Sequence, residues 1–239
     1  MAPAVFTPLS SDTFIKYQQY WQQLLEGASS APGLLDPTFN TVGKRVRMVC
    51  FPAEQILWLI STAGATNIQL RFVLTSEPGN SDNFAVVLYA TDDQNKRLSA
   101  YYQSTPYAAS PYNGDDAEAV AGNMDDSEMM PHAAVQQWVN NWQEANSLSA
   151  DMFKNSYGPL QGYTFSYNEV LNNLFATSTY DSMVLGVVLG LHEHYGPNND
   201  GATADYTFGL ALRIYNTGTI TGKSAATFFD HSMPCPPGY

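Results

Sequence analysis

His192-Glu193-His194 is the one cluster in the chain with metal-ligand character. It closes an apolar run that reads as a strand. Alternate strand residues share a face, so His192 and His194 can approach one ion while Glu193 points away. Asp200, Asp205 or His231 is the expected third ligand. The spacing is not the His-Glu-x-x-His of a helical zinc site, and Glu77 and Gly79, the matching positions earlier in the chain, carry no histidine. Ordinary histidines on a polar rim are the competing reading. The loop Asn198-Asn199-Asp200-Gly201 up to Asp205 offers oxygen donors, but not at EF-hand spacing, so a calcium loop competes with a plain hairpin loop.

Other chemistry is thinner. The chain has no G-x-S-x-G elbow, no phosphate-binding P-loop and no G-x-G-x-x-G. Gly186 and Gly190 lie inside an apolar run, where glycine permits close packing. Glu54 and Glu169 sit near helix starts, where the helix dipole favours a carboxylate, and an acid–base pair would need them to face each other. Cys50 and Cys235 are too few for a disulfide framework or a thiolate zinc site; they read as isolated thiols, or as one bridge in an exported protein. Trp21, Trp58, Trp138 and Trp142 fall at helical spacing and read as core, or as sugar-stacking platforms where exposed. No catalytic residue and no cofactor is expected.

The composition narrows the partners. The 239 residues are 44% apolar but only 13% charged, with 22 acidic against 10 basic side chains and a net charge of −12. That balance argues against nucleic acid, which needs a basic face, and against anionic membrane surfaces. No segment reaches the ~18–20 apolar residues of a membrane span. The first residues lack a basic stretch followed by a long apolar one, so the expected location is cytoplasmic, or outside by a signal-free route. Uncharged polar groups take the place of the missing charge: 17 Asn, 12 Gln, 19 Ser, 18 Thr and 15 Tyr. No Lys or Arg occurs between Arg97 and Lys154, a stretch that holds Asp115, Asp116, Glu118, Asp125, Asp126 and Glu128. It reads as a solvated acidic linker, with a site for a divalent cation or a basic partner as the sharper alternative.

Self-similarity organises the rest. Tyr17–Gln23 answers Val135–Asn141, both Gln/Asn-rich with aromatics on one helical face. Phe51–Ile60 answers Phe165–Phe175, Ile68–Leu74 answers Met183–Leu189, and Phe84–Tyr89 answers Phe208–Arg213. Tyr101-Tyr102 and Ser104-Thr105-Pro106 answer Phe228-Phe229 and Ser232-Met233-Pro234. The expected fold class is therefore α+β, a tandem duplication of a unit of about 110 residues. Each unit is helix, helix and a three-stranded antiparallel meander. Residues 1–107 form the first unit, 108–131 the acidic linker and 132–239 the second unit with its Pro-rich tail. Helices are expected at 11–26, 52–62, 132–146 and 167–176, and strands at 67–76, 83–91, 98–104, 182–193, 205–215 and 223–230, with a short one at 45–50. A sheet with helices on one face needs cover on the other, so the units are expected to pack together or join their sheets about a pseudo-twofold.

At these blocks, and at the ending Phe228-Phe229-Asp230-His231-Ser232-Met233-Pro234-Cys235-Pro236-Pro237, the chain resembles a group of uncharacterised Bacteroidetes proteins. They have a helix–strand–strand core and finish in a Cys-Pro-Pro tail. The resemblance covers mostly 163–237, and the first unit departs from it, having Thr105-Pro106-Tyr107 and no Cys there. It implies a bacterial source and no catalytic residues.

A surface of amides, hydroxyls and tyrosines with little charge lacks the usual defence against association. The expected function is that of a non-catalytic, self-associating structural or interaction protein, the subunit of a homomeric assembly. Phe6, Tyr101, Tyr102, Tyr107, Tyr112, Tyr195 and Tyr239 are its candidate interface residues. The alternative is a binding module for a small molecule or glycan using Tyr and Trp platforms. A metal-dependent enzyme at His192 and His194 is the third reading.

Overall fold

The computed structural model describes residues 7–31, 33–81, 83–109, 129–155, 158–168, 170–171, 183–194, 205–216, 228–229 and 233–234. Helix α1 (Ser11–Ala28) starts where the Ser10 hydroxyl accepts the Thr13 amide, and its Phe14, Trp21, Leu24 and Leu25 are buried along one stripe. The short α2 (Leu35–Thr38) leads into a hairpin of β1 (Asn40–Thr41) and β2 (Lys44–Arg45). Then come β3 (Met48–Pro52), α3 (Ala53–Ile60), β4 (Asn67–Leu74), β5 (Phe84–Thr91), β6 (Tyr102–Gln103) and β7 (Thr105–Tyr107). The second half has β8 (Met129–Met130), α4 (His132–Glu144), a 3-10 turn (Ala150–Phe153) and the hairpin β9 (Lys154–Asn155) with β10 (Gly158–Pro159). It continues with β11 (Gly162–Ser166), β12 (Met183–His194), β13 (Asp205–Asn216), β14 (Phe228–Phe229) and β15 (Met233–Pro234).

The architecture is mixed α+β with antiparallel sheets. One sheet has the order β15-β11-β4-β5-β6, the other β7-β3-β12-β13-β14-β8. The expected meanders are present as β4-β5-β6 and β12-β13-β14, but each is widened by two strands from the other half of the chain. Strand β3 pairs with β12, setting Phe51 opposite Leu185, while β11 pairs with β4, setting Phe165 opposite Ile68. Gly162-Tyr163-Thr164 is thus a strand that the sequence reading passed over. The expected helix at 167–176 is described only at 167–168 and 170–171, which are helical.

The sheets face each other across the main core. Ile68, Leu70, Phe72, Phe84, Val86 and Leu88 of one meet Val49, Phe51, Leu185, Val187, Phe208 and Leu210 of the other in a single buried cluster. Residues of 1–107 and of 132–239 therefore share one core. The outer face of the first sheet lies under α1, with Phe14 against Tyr89 and Tyr101 and near Val73 and Val87. That of the second lies under α4, with Val135 and Val139 against Met48, Cys50, Val188 and Ala211. Strands covered on both faces lose the polar alternation of a half-exposed sheet, which is why β5 and β12 up to Leu191 read as apolar runs, whereas β4 keeps Gln69 and Arg71, both buried.

Each long helix also drives a tryptophan into the end of the main core. Trp21 and Trp142 are both fully buried. The Trp21 Nε1 donates to the Leu160 carbonyl at 2.8 Å, and the Trp142 Nε1 to the Val46 carbonyl at 2.6 Å, so each indole is tied to the other half of the chain. The amides of these carbonyl residues donate to Phe39 and Phe153, whose rings stack with centroids 5.4 Å apart. Among the described residues, no helix is long and apolar enough to cross a membrane.

Two substitutions test this frame. Trp142→Phe leaves the Val46 carbonyl unpaired in the core and should cost about 1–3 kcal/mol in urea unfolding. Gly162 has φ +146°, and a Cβ there would stand 2.0 Å from the Leu70 carbonyl oxygen. Gly162→Ala should therefore cost more than about 3 kcal/mol and unpair β11 from β4, read as lost amide protection over 67–71.

Candidate functional site

The hairpin β12–β13 runs past its neighbours. Pairing of β12 with β3 ends at Val188, and the described pairing of β13 with β14 is at Leu212. Beyond that the two strands continue as a ribbon to His194 opposite Asp205. By strand parity His192 and His194 lie on the face that also holds Asp205 and Thr207, with His192 opposite Thr207 and His194 opposite Asp205. Glu193, opposite Tyr206, takes the other face as expected.

Helix α4 braces this end of the ribbon. The Trp138 ring meets the His192 ring edge-on, centroids 5.0 Å apart. A Cβ at Gly190 would come within 2.8 Å of the Trp138 Cβ, so glycine is what lets the helix approach this closely. The Asn141 amide donates to the Leu191 carbonyl at 3.2 Å, and the Gln137 amide to Glu193 at 3.3 Å. The sequence reads Trp138 as core, or as a sugar-stacking platform where exposed; the strand end two residues past a buried glycine was the signal for its contact with His192. Among the described side chains, no three His, Cys, Asp or Glu residues gather. Asp200 and His231 lie outside the described residues.

The strand pairings also bear on one alignment. Asn67 faces Ser166 and Val184 faces Pro52; if the halves are repeats in this register, Thr75 and Glu77 stand where His192 and His194 do. Thr75 donates its amide and its hydroxyl to the Asn83 carbonyl and simply closes its hairpin.

Three of the candidate interface tyrosines lie among the described residues. Tyr101 is buried, stacked on Phe14 with centroids 4.1 Å apart and approached by the Arg97 guanidinium at 4.4 Å. Tyr102 is buried in the main core, and Tyr107 is half-buried beside the cluster under α4. Burial raises the phenol pKa of all three, against the pull of Arg97 for Tyr101 and with help from Cys50 for Tyr107. Phe6, Tyr112, Tyr195 and Tyr239 lie outside the described residues, as do Glu169 and Cys235. Cys50 is buried under α4.

Two features went unread in the sequence. Arg45 bonds Asp36 at 2.9 Å and the Trp142 carbonyl at 2.6 Å, while Asp36 also accepts the Leu148 amide at 3.2 Å. Burial lowers the Arg45 pKa despite Asp36. This knot is structural, tying the β1–β2 hairpin to the end of α4. The second is Val42, at the tip of that hairpin, with φ 51° and 91% of its surface exposed. Of the four tryptophans, Trp58 is exposed at 48%, with Tyr102 6.3 Å away.

No family model, no curated protein and no solved structure matches this chain.

The buried tyrosines set an alkaline limit. A phenol whose pKa is raised by folding keeps its proton after the unfolded chain has lost it, so stability is full below about pH 10 and falls above it. Urea midpoints should be flat from pH 8 to 9 and drop by pH 11, and Tyr102→Phe should shrink the drop.

Proposed function

We propose that this chain is a non-catalytic, self-associating structural or interaction protein, the subunit of a homomeric assembly, and that its halves descend from a duplicated α+β unit of about 110 residues. Val42 carries the association reading. The turn Thr41-Val42-Gly43-Lys44 has positive φ at both central residues, the type I′ pattern that favours Asn-Gly. A β-branched residue there is strained by about 1–3 kcal/mol. The valine also spends its apolar surface on solvent. Burial of the tip against a second copy offsets both costs. The low charge and the exposed Ile15 are in keeping with this.

The duplication reading is supported by the order of the strands. Reading β7, β3, β12, β13, β14 as partners of β15, β11, β4, β5, β6 makes the two sheets alike, with Trp21 answering Trp142 and Phe39 answering Phe153. In this account the strand before the second helix crossed over in both units.

A glycan-binding module is the second reading, favoured by exposed Trp58 beside Tyr102. Light scattering of the full chain at micromolar concentration decides the first: species larger than the 26.2 kDa monomer are expected, and a clean monomer refutes assembly. Val42→Asn should separate the two roles of the tip, raising monomer stability by about 1 kcal/mol while weakening assembly. On a glycan array the unaltered chain is expected to be silent. Binding abolished by Trp58→Ala would instead establish the second reading.

A further inference from the structure

We infer, on the assembly reading above, that the β1–β2 tip of one copy docks on a shelf formed by Trp58 and Leu98 of the next, so that copies join head to tail. Four large apolar side chains are exposed among the described residues: Ile15, Val42, Trp58 and Leu98. Val42 is the tip, and Ile15 lies on α1. The other two fall at one corner of the fold. Trp58 stands beside Tyr102, which lies opposite Leu88 of β5. Leu98 donates its amide to Ala90, two residues along the same strand. The turn after α3 joins them: the Thr62 hydroxyl donates to the Trp58 carbonyl, and the Leu98 Cδ1 lies 3.9 Å from where a Cβ on Gly64 would stand.

Shape and charge select this pairing over a meeting of two tips. A tip is convex, and two convex tips exclude little water when they touch. Lys44 is exposed beside Val42, and Lys44, Arg45 and Arg47 are three of the chain's 10 basic side chains. A twofold contact between tips would bring these like charges together. The shelf has the opposite sign. Glu54 is exposed one helical turn before Trp58, on the same face of α3. In the turn before Leu98, Asp92 and Asp93 outweigh Lys96, while Arg97 turns away to stack on Tyr101 under α1. Copies that each carry a net charge of −12 repel over most faces, so a basic tip on an acidic shelf is a favoured approach. The base of the tip is held by Arg45, which bonds Asp36 at 2.9 Å and the Trp142 carbonyl at 2.6 Å. A tip fixed in advance loses little freedom on docking. A contact between two different surfaces leaves one of each unfilled on a pair, so it repeats into a ring or a filament.

The test mixes two variants of the full chain: Val42→Asn, which removes the tip, and Trp58→Ala, which removes the shelf. Light scattering is read at the concentration where the wild type assembles. Each variant alone should be monomeric, because every contact then lacks one half. In equal mixture they should form a dimer of two chains and nothing larger, since one intact tip meets one intact shelf. Lys44→Glu and Glu54→Lys should each raise the concentration for half-assembly at least about twofold, and the two in one chain should restore it. Far-UV circular dichroism checks that each variant is folded. An assembling wild type with a Trp58→Ala chain that assembles equally well overturns the head-to-tail contact and leaves assembly standing. So does an equal mixture that stays monomeric, or a double charge reversal without restoration. Glycan binding that Trp58→Ala abolishes, with assembly unaffected, assigns the shelf to a sugar and overturns the contact too. A monomeric wild type refutes assembly itself, and this contact with it.

Discussion

The interlock of the two chain halves is the constraint on which the rest of this structure depends. Neither half completes a sheet with its own strands, because β3 lies beside β12 and β11 beside β4. Trp21 and Trp142 reinforce the exchange by each donating a buried hydrogen bond to a carbonyl on the opposite half. An indole N–H left unpaired in the core would cost about 1–3 kcal/mol, so the two bonds specify how the halves meet as well as stabilising them. The stacked Phe39 and Phe153 fill the space between the donors.

The interlock also explains which surfaces remain for function. With the sheets covering each other and α1 and α4 covering their outer faces, most of the aromatic residues among the described side chains are spent on the inside. Tyr101 and Tyr102, which a composition argument places at an interface, are consumed by α1 and by the core. Among the described residues, what projects includes the β1–β2 tip with Val42, the ribbon that carries His192, and Trp58 on a helix of only eight residues. The proposals of assembly and glycan binding rest on the first and the last of these. They sit on different elements, so one can fail without the other.

On the proposed duplication, the blocks at Phe84 and Phe208, and at Tyr101-Tyr102 and Phe228-Phe229, are legible because a phenylalanine or an aromatic pair marks the phase. Strand β13 pairs Leu212 with Phe229 as β5 pairs Leu88 with Tyr102. On the same reading the strand pairings align Ile68–Leu74 with Leu185–Leu191, two residues on from Met183–Leu189. Met183–Leu189 has no polar side chain, and a run without alternation carries no phase to align. Gly162-Tyr163-Thr164 was missed as a strand because a glycine with positive φ breaks the pattern where the backbones come closest.

By itself the sequence determined the local elements. The long helices follow from aromatic spacing and a serine cap, the two long hairpins from apolar runs broken by turn residues, and the charge-poor character from composition. These depend on neighbours along the chain. Tertiary structure alone decided which half supplies each sheet's flanking strands, which tyrosines are buried and which tryptophan is exposed. It also decided that Asp205 lies opposite His194, since cross-strand register and burial are set by contacts between residues far apart in the chain, which leave no periodic trace in it.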